Sequence, residues 1–491
     1  MFLTILVNLY TVRVIWNVLG VDDYGIYNVV GGIVLMFAFL NNAMVASSQR
    51  FISFELGTGD FQRLKKIFAI SVTVHAMLAL GILILAESIG LWFLNERLNI
   101  PPGRMYAANW VYQCSIIAFI INVISVPYNA CIVAHEHMKQ FGYFGILEVL
   151  LKLVIVFLLL IIPFDKLITY SVLVVCVAVT MRLIYGIYCR RHFDECRFAF
   201  VSDHNLMKDM FSFAGWSFIG NMGFAVRDQG LNIIVNLFFN VAVNAAKGVA
   251  NQIGNVISGF AGSFQMALNP QITKQYAAGD SATMLKLVFR GCKFSVLLMM
   301  LITVPLYFAT PEVMKLWLQE VAPYTDGFVK LILIMILIDS MGVPITTALQ
   351  ATGHIKWFQI LISIIMALNL PLAWLWLTID RNPYVVVFVA ILTSAIGVAT
   401  RLCLLHNEVI FSYRSFLLQV VMRVFPTLFI SFVISGCLYI VIPHSLPGIV
   451  CFICCSVSVV AASSIIIGLD TSERQYVTAQ LLNRLKIRRS H

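Results

Sequence analysis

Residues 20–68 read GVDDYGIYNVVGGIVLMFAFLNNAMVASSQRFISFELGTGDFQRLKKIF, and this stretch decides the fold. It begins with an acidic turn and continues as a long run of small, apolar and amide side chains. It ends in a Gly-Asp turn followed by basic residues. A weaker copy of the stretch lies 220 positions later, where Gly279 and Asp280 take the places of Gly59 and Asp60.

The similarity continues further along the chain. Val126-Pro127 and Lys139 match Val343-Pro344 and Lys356 at a common shift of 217 positions. A chain that repeats itself over such distances is typically built from two like halves. The sequence therefore predicts an internal structural repeat.

The composition is that of a membrane protein. Of the 491 residues, 60% are hydrophobic and only 11% are charged, and the mean hydropathy is +0.91. A soluble domain of this length needs a more polar exterior. The apolar residues also come in runs of about 20, the length that crosses a hydrocarbon core as helix. We therefore predict an all-α polytopic membrane protein.

Fourteen apolar runs can be assigned as transmembrane helices. They predict two pseudo-symmetric six-helix bundles around a central cavity, plus two C-terminal helices. The predicted organisation is an N-terminal bundle (1–189), a cytoplasmic linker (190–209), a C-terminal bundle (210–405), two additional helices (406–469) and a basic cytoplasmic tail (470–491). The first run, 2–19, is short and has no basic leader, so we expect that the start of its helix is missing.

The basic residues predict the orientation. One alternating set of loops and helix ends holds 23 of the 33 Lys and Arg residues, and the opposite set holds six. Such a bias marks the rich side as cytoplasmic, so both termini are predicted there, in a bacterial inner membrane. The net charge of +10 lies in alternate loops rather than on one face, which argues against a nucleic-acid partner.

The loops and cysteines argue against enzyme chemistry. The longest loop is the linker of about 20 residues, so no soluble catalytic domain fits and we predict that the protein is not an enzyme. The eleven cysteines lie mostly within apolar runs, as small buried hydrophobic residues do. His135, Glu136 and His137 fall in a cytoplasmic turn and are expected to be solvated. The sequence predicts no metal site and no cofactor.

Four basic residues lie inside predicted helices, where each costs a few kcal/mol unless it faces water, a partner or an anion. They are Arg13, Lys152, Arg227 and Lys247. Lys152 follows Glu148 by one turn, which predicts a structural ion pair. Arg227 and its neighbour Asp228 point about 100° apart on a helix, so we expect each to find another partner.

The helices that carry most of these bases are also polar. The second predicted span includes Asn41, Asn42 and Ser48, and the eighth includes Asn251 and Asn255. Small residues serve close helix packing, but amides require water or polar partners. We therefore expect a hydrated, positively charged cavity that suits an anionic substrate, since Arg binds phosphate through its bidentate fork.

Two intramembrane carboxylates, Asp228 and Asp339, are candidates for coupling transport to Na⁺ or H⁺. Asp339 can instead neutralise a basic residue, and the sequence leaves both roles open. Arg50, near the cytoplasmic end of the second span, either binds substrate or extends to the lipid headgroups.

Three segments carry a family resemblance: VLGVDDYGIYNVV (18–30), SSQRFISFELGTGDFQRLKKIF (47–68) and LNPQITKQYAAGD (268–280). They resemble the Wzx-type polysaccharide flippases of the multidrug/oligosaccharidyl-lipid/polysaccharide exporter superfamily. The resemblance implies two bundles that alternate access. It also implies transport of undecaprenyl-diphosphate-linked oligosaccharide for O-antigen (lipopolysaccharide), capsule or exopolysaccharide assembly. The partners it implies are this lipid, membrane lipid, the polysaccharide polymerase and chain-length proteins.

The resemblance also implies a set of site residues. By position, Arg13, Arg50 and Asp23 (or Asp22) match residues of the first two helices that matter for transport in related flippases. Arg227 and Lys247 correspond to basic residues of the seventh and eighth helices. The family normally has a further basic stretch at the N-terminus, which this sequence does not show.

Two other functions remain open. An antiporter of the same fold would exchange cationic drugs for Na⁺ or H⁺, but its pocket should be dominated by unpaired carboxylates rather than bases. A polymerase or ligase acting on lipid-linked sugars would need a large external loop, whereas the external loops here have only about 5 to 12 residues.

Overall fold

A computed structural model describes residues 14–15, 18–19, 23, 26–27, 30, 38–96, 100–197, 201, 203–239, 241–317 and 322–475. These residues form helices joined by short turns, and no strand occurs among them. The all-α prediction is therefore confirmed. The first predicted span and the first part of the second lie largely outside the described residues.

Thirteen helices follow one another from Ala38 onward within the described part of the chain. They are α1 (Ala38–Thr58), α2 (Phe61–Glu96), α3 (Met105–Ala134), α4 (Met138–Ile161), α5 (Lys166–His192), α6 (His204–Phe238), α7 (Val241–Ala277), α8 (Ser281–Trp317), α9 (Thr325–Thr352), α10 (Lys356–Ile379), α11 (Val385–Glu408), α12 (Tyr413–Val441) and α13 (Leu446–Gly468). They correspond in order to the second through fourteenth predicted spans. The total of fourteen stays a prediction.

Ten of these helices, α2–α5 and α8–α13, are long and apolar enough to cross a membrane. The protein is thus a polytopic membrane protein. The three described helices that fall short of this criterion are α1, α6 and α7, and each has more than 20 residues. They include the helices that the sequence marks as rich in amides and bases. A long helix that is polar inside a membrane protein needs polar neighbours or water.

The internal repeat appears in the backbone. Gly59, between α1 and α2, and Gly279, between α7 and α8, both adopt a left-handed conformation with φ of +78°. Asp60 and Asp280 then cap the following helix, and each accepts a hydrogen bond of 3.0 Å from the backbone N–H three residues later. Glycine avoids the steric cost of positive φ, and aspartate satisfies an N-terminal donor of the helix.

The repeat extends to the proline-containing helices. Pro127 lies inside α3 and Pro344 lies inside α9. The next helix begins at Met138 in the first case and at Lys356 in the second. The prolines are 217 residues apart and the helix starts 218, so the shift found in the sequence holds to within one residue.

The chain divides into two compact units, Met1–Asn221 and Met222–His491, and the boundary falls within α6. In unit 1, α3 packs against α2 and α5, and the buried hydroxyl of Tyr112 donates to the carbonyl of Ala86 at 2.8 Å. In unit 2, α9 is central and packs against α7, α8 and α11. The finer division predicted from the sequence stays a prediction.

Polar contacts join the C-terminal helices of unit 2 to each other and the segment after them to α8. Two buried hydroxyl pairs join α12 to α13, Ser431 with Ser463 at 2.6 Å and Ser435 with Ser456 at 2.8 Å. Such pairs contribute about 0.6 kcal/mol each within membranes. Beyond α13, the carboxylate of Glu473 accepts from the ammonium of Lys293 on α8 at 2.5 Å, and both side chains are buried.

Candidate functional site

Arg227 lies at the centre of a charged cluster inside unit 2. The residue is only 5% exposed. Its Nη1 lies 3.2 Å from the hydroxyl oxygen of Ser394 and 3.7 Å from a carboxylate oxygen of Asp339. The guanidinium of Arg227, on α6, therefore contacts α11 and α9. A buried arginine is tolerated only when such partners replace its water.

One prediction about this arginine is wrong. Nε of Arg227 donates to the carboxylate of the adjacent Asp228 at 2.9 Å. The Cβ atoms of consecutive helical residues point about 100° apart, but the long and flexible arginine side chain spans that angle. Asp228 is 56% exposed at its side chain, so it retains solvent contact while it pairs. The expectation that Arg227 also finds a more distant partner is met by Asp339.

Arg401 is a second buried arginine. In the sequence it is one of the 23 basic residues assigned to the cytoplasmic loops and helix ends. It is 5% exposed, and its Nε has no hydrogen-bond partner among the residues that the structure describes. The guanidinium occupies space left by two glycines, since a Cβ on Gly342 or Gly397 would lie 3.0 or 3.4 Å from its Nη1. The signal in the sequence was Gly397, one helical turn before the arginine. Arg401 lies close to Arg227, since their guanidinium carbons are 5.9 and 5.3 Å from the centre of the same ring, that of Phe224.

Lys247 on α7 is also buried in unit 2. Its ammonium donates to the amide oxygen of Asn232 on α6 at 2.5 Å. It interacts electrostatically with Asp228 and Arg227, and so belongs to the same charged cluster. Among the described residues, this cluster contains three bases and two carboxylates, which leaves an excess of one positive charge.

The amides of α7 lie on an exposed stripe. Gly248, Gln252 and Asn255 are exposed on the surface of unit 2 and follow one another at helical spacing. The buried amide oxygen of Asn244, one turn before, has no hydrogen-bond partner among the described atoms. Unit 2 therefore has both an exposed polar stripe and a buried positive cluster, and the hydration of the site stays a prediction. The predicted cavity between the bundles stays a prediction.

In unit 1, Arg50 is surrounded by aromatic rings. Its guanidinium carbon lies 4.7 Å from the ring centre of Phe51, 4.8 Å from that of Phe54 and 5.7 Å from that of Phe213. Such cation–π contacts hold a cation where water is scarce. Arg13 and Asp22 lie outside the described residues, so their roles stay predictions.

Asp23 is held by Arg104, which sequence reasoning did not connect with it. Nε of Arg104 donates to one Asp23 oxygen at 2.8 Å, Nη2 donates to the other, and Nη1 donates to Asp165 at 2.5 Å. Asp23 thus belongs to an ion-paired group in unit 1. The predicted pair of Lys152 with Glu148 is present, at 2.7 Å.

A further group in unit 1 contradicts the expectation that His135 is solvated. Its Nε2 lies 2.5 Å from a carboxylate oxygen of Glu195, and that carboxylate is buried. The two residues are 60 positions apart in the chain, which explains why their proximity could not be predicted.

The comparisons with known proteins agree with this architecture. Residues 217–375 match the MatE family, and residues 1–275 match the family described as "Polysaccharide biosynthesis protein". A comparison with curated proteins finds no match. The fold and these matches define a membrane transporter of the multidrug/oligosaccharidyl-lipid/polysaccharide exporter superfamily. More narrowly, the chain belongs to the polysaccharide biosynthesis protein family.

Solved structures share the fold at low sequence identity. A MATE transporter in a straight conformation is 12% identical, with a TM-score of 0.70, over 82% of this chain and 92% of its own. An outward-facing multidrug resistance MATE family transporter is 13% identical, with a TM-score of 0.69, over 82% and 91%. A superfamily transporter from Pyrococcus furiosus is also 13% identical, with a TM-score of 0.65, over 82% and 92%.

Proposed function

We propose that the protein is a flippase that moves undecaprenyl-diphosphate-linked oligosaccharide across the bacterial inner membrane by alternating access. The observation that carries this proposal is the charged cluster of unit 2, in which Arg227, Lys247 and Arg401 outnumber Asp228 and Asp339. Buried bases in excess attract an anion, and the guanidinium fork fits phosphate oxygens in particular. The membership of the polysaccharide biosynthesis protein family supports the same cargo.

The contacts within the cluster suggest how it would serve a diphosphate. Asp339 lies 3.7 Å from Arg227 and partly neutralises it. This distance exceeds that of a tight charge-assisted hydrogen bond, about 2.7–2.9 Å, and an incoming anion would compensate the arginines for the loss of the carboxylate. A phosphate group would then replace the carboxylate as partner, and the exposed amides of α7 would contact sugars through water. The polyprenyl tail would stay in the surrounding lipid.

The remaining residues have supporting roles in this proposal. Arg50 among its phenylalanine rings, and Arg13 and Asp23 by family position, would assist cargo entry from unit 1. Asp228 and Asp339 would sense Na⁺ or H⁺ when the arginines engage cargo. Both termini would be cytoplasmic, and the polymerase and chain-length proteins would receive the product on the opposite side, for O-antigen, capsule or exopolysaccharide assembly.

A multidrug antiporter coupled to Na⁺ or H⁺ is the second candidate. It is favoured by the exposed carboxylate of Asp228 and by the likeness to MATE structures, one of which is described as a multidrug resistance transporter. The P. furiosus relative, however, is described as having a binding pocket of reverse polarity that suggests a different function. The positive excess here is a charge argument against a cationic cargo.

Genetic complementation tests the flippase proposal. We expect Arg227→Ala and Arg401→Ala to abolish complementation of a flippase-null strain at unchanged membrane abundance. Arg227→Lys keeps the charge but loses the bidentate fork, so it should restore only part of the activity. Arg197→Ala, at an arginine 79% exposed, is the matched control and should complement fully. Full activity in both alanine variants at the cluster would overturn the proposal.

A binding measurement on the purified wild-type protein does not depend on how the variants fold. Undecaprenyl diphosphate should raise the unfolding temperature, because a ligand that binds only the folded state stabilises it. Neutral undecaprenol is the control for the lipid tail and should have little effect. Stabilisation by a lipophilic cation but not by the diphosphate would favour the antiporter.

A further inference from the structure

Three side chains with metal-binding atoms converge in unit 1, two of them one helical turn apart and the third 60 residues further along the chain. They are Cys131 on α3, His135 at the end of the same helix and Glu195 in the linker after α5. Their ligand atoms all lie within 4.8 Å of one another. Cys131 is completely buried and Glu195 is 5% exposed. The proposed function uses none of the three.

Local structure fixes the positions of these donors. Cys131 and His135 are four residues apart, and the backbone N–H of His135 still donates to the carbonyl of Cys131 at 3.0 Å. Both side chains therefore project from the same face of α3. The imidazole stacks on the ring of Phe193, with 4.1 Å between centres and an interplanar angle of 13°. Glu195 lies two residues after that ring, in the short turn Asp194–Cys196.

Two of the distances match the edges of a tetrahedral zinc site. Cys131 Sγ lies 3.4 Å from the Glu195 oxygen and 3.5 Å from Sγ of Cys196. Zinc binds sulfur at about 2.3 Å and nitrogen or oxygen at about 2.0–2.2 Å, so the edges of its tetrahedron measure about 3.4–3.8 Å. The His135–Glu195 contact, at 2.5 Å, is shorter than such an edge. It is a hydrogen bond that an ion would replace by separating the two atoms by about 1 Å.

The donor set is specific for one class of ion. Thiolate and imidazole together favour Zn²⁺ over the hard cations Mg²⁺ and Ca²⁺, which prefer oxygen ligands. We propose that Cys131, His135 and Glu195 bind a zinc ion and that Cys196 supplies the fourth ligand. A closed site of four protein ligands is structural rather than catalytic. It would fasten the linker after α5 to the end of α3.

Metal analysis of the purified protein tests this proposal. After exposure to Zn²⁺ and removal of free metal, we expect about one zinc per chain, as structural sites bind zinc tightly. Cys131→Ser and His135→Ala should lose the bound zinc. Cys114→Ser, on the same helix, and His192→Ala, at the end of α5, are the matched controls and should retain it.

A second measurement covers the case in which those variants fail to fold. With Co²⁺ in place of zinc, the wild-type protein should show the intense thiolate-to-cobalt absorption band. Glu195→Gln, which preserves the size of the side chain, should weaken zinc affinity by about tenfold or more. A wild-type protein without zinc and without that band would overturn the proposal. So would zinc retained in Cys131→Ser and His135→Ala, or a Cys131–Cys196 disulfide as the resting state.

Discussion

The two units share a turn but differ in their interiors. The Gly-Asp turns of the two halves have the same φ and the same capping distance, although few of the surrounding side chains are alike. Inside unit 2, by contrast, lies a cluster of buried charges, whereas the arginine of α1 in unit 1 packs against phenylalanine rings. Backbone geometry has thus been kept in both copies, while the buried polar residues have diverged.

Two arginines at matching positions illustrate this divergence. Arg182 follows the first residue of α5 by 16 positions, and Arg401 follows the first residue of α11 by the same number. The guanidinium of Arg182 lies 3.9 Å from the ring centre of Tyr128. Arg401 lies against two glycines beside Asp339 instead. The guanidinium carbon of Arg401 is also 5.9 Å from the ring centre of Phe224. Bases at matching positions therefore have an aromatic neighbour in both units, and the one in unit 2 has an ionic environment as well.

The largest expected effect comes from Asp339→Asn in the ionic environment. Removing this carboxylate leaves two buried arginines with one partner fewer, and breaking a buried pair costs about 3–5 kcal/mol. Unfolding measured in detergent should show this loss. Asp194→Asn, at a side chain 89% exposed, is the control and should change stability by less than about 0.5 kcal/mol.

A double substitution sharpens the same test. Adding Arg401→Leu to Asp339→Asn removes one base together with the carboxylate, so part of the lost stability should return. If the double variant is no more stable than Asp339→Asn alone, the two residues do not interact as described.

The next effect compares two glycines on the single helix that the unit boundary divides. A Cβ on Gly223 would lie 2.6 Å from the backbone Cα of Ser363, whereas a Cβ on Gly215 meets nothing within 4 Å. Gly223→Ala should therefore cost about 1–3 kcal/mol through overpacking of α6 against α10. Gly215→Ala should be neutral or stabilising by up to about 1 kcal/mol. Equal unfolding temperatures for the two variants would contradict this close approach.

The shared turn predicts a pair of equal effects. Gly59→Ala and Gly279→Ala each force a side chain into positive φ, which costs about 1 kcal/mol because alanine disfavours that region. Neither Cβ would meet an atom within 4 Å, so no steric term adds to this cost. Thermal unfolding should show the same loss for both. A difference larger than about 0.5 kcal/mol would show that the two turns are not equivalent.

The smallest effect concerns pH at the Arg104 group of unit 1. Burial raises the pKa of Asp165, but the N–H of Ile168 and the guanidinium of Arg104 outweigh it, so the pKa lies below its ordinary value. A depressed folded-state pKa means that the stabilisation is present above the ordinary pKa of Asp and is lost as the pH falls through the folded value.

Arg104→Met should reduce this pH dependence to the part that the backbone N–H groups supply and, at neutral pH, remove about 0.2–1 kcal/mol of stability, because the group is partly exposed. Unfolding temperatures measured between neutral and acidic pH test the prediction. If the unfolding temperature of the variant falls between neutral and acidic pH by as much as that of the wild-type protein, Arg104 is not a cause of the pH dependence.

The helices could be predicted because their signal is local. Runs of about 20 apolar residues define spans wherever they occur, and the Gly-Asp turns carry their geometry in two adjacent residues. The burial of Arg401 was missed because loop counting assigns a base near a helix end to water. Its true surroundings depend on Gly342, which is distant in the chain. The contact of Glu195 with Cys131 was missed for the same reason.

The candidate site was predictable only in its residue types. Charged residues inside predicted spans identified Arg227, Lys247 and Asp339, because charge at membrane depth is rare whatever the tertiary fold. Their partners could not be read from the sequence. The pairing of Arg227 with Asp228 depends on side-chain torsions, and its contact with Ser394 depends on how α6 packs against α11.

The buried ammonium of Lys293 has a consequence for biosynthesis. Its counter-charges, Asp470 and Glu473, lie 177 and 180 residues further along the chain, after α13. Until the ribosome has delivered those carboxylates, α8 carries an uncompensated cation, and unit 2 cannot complete its assembly in the membrane. A nonsense mutation shortly after Gly468 would therefore keep helices α1 to α13 but leave Lys293 without its counter-charges. Quality-control proteases should degrade such a protein.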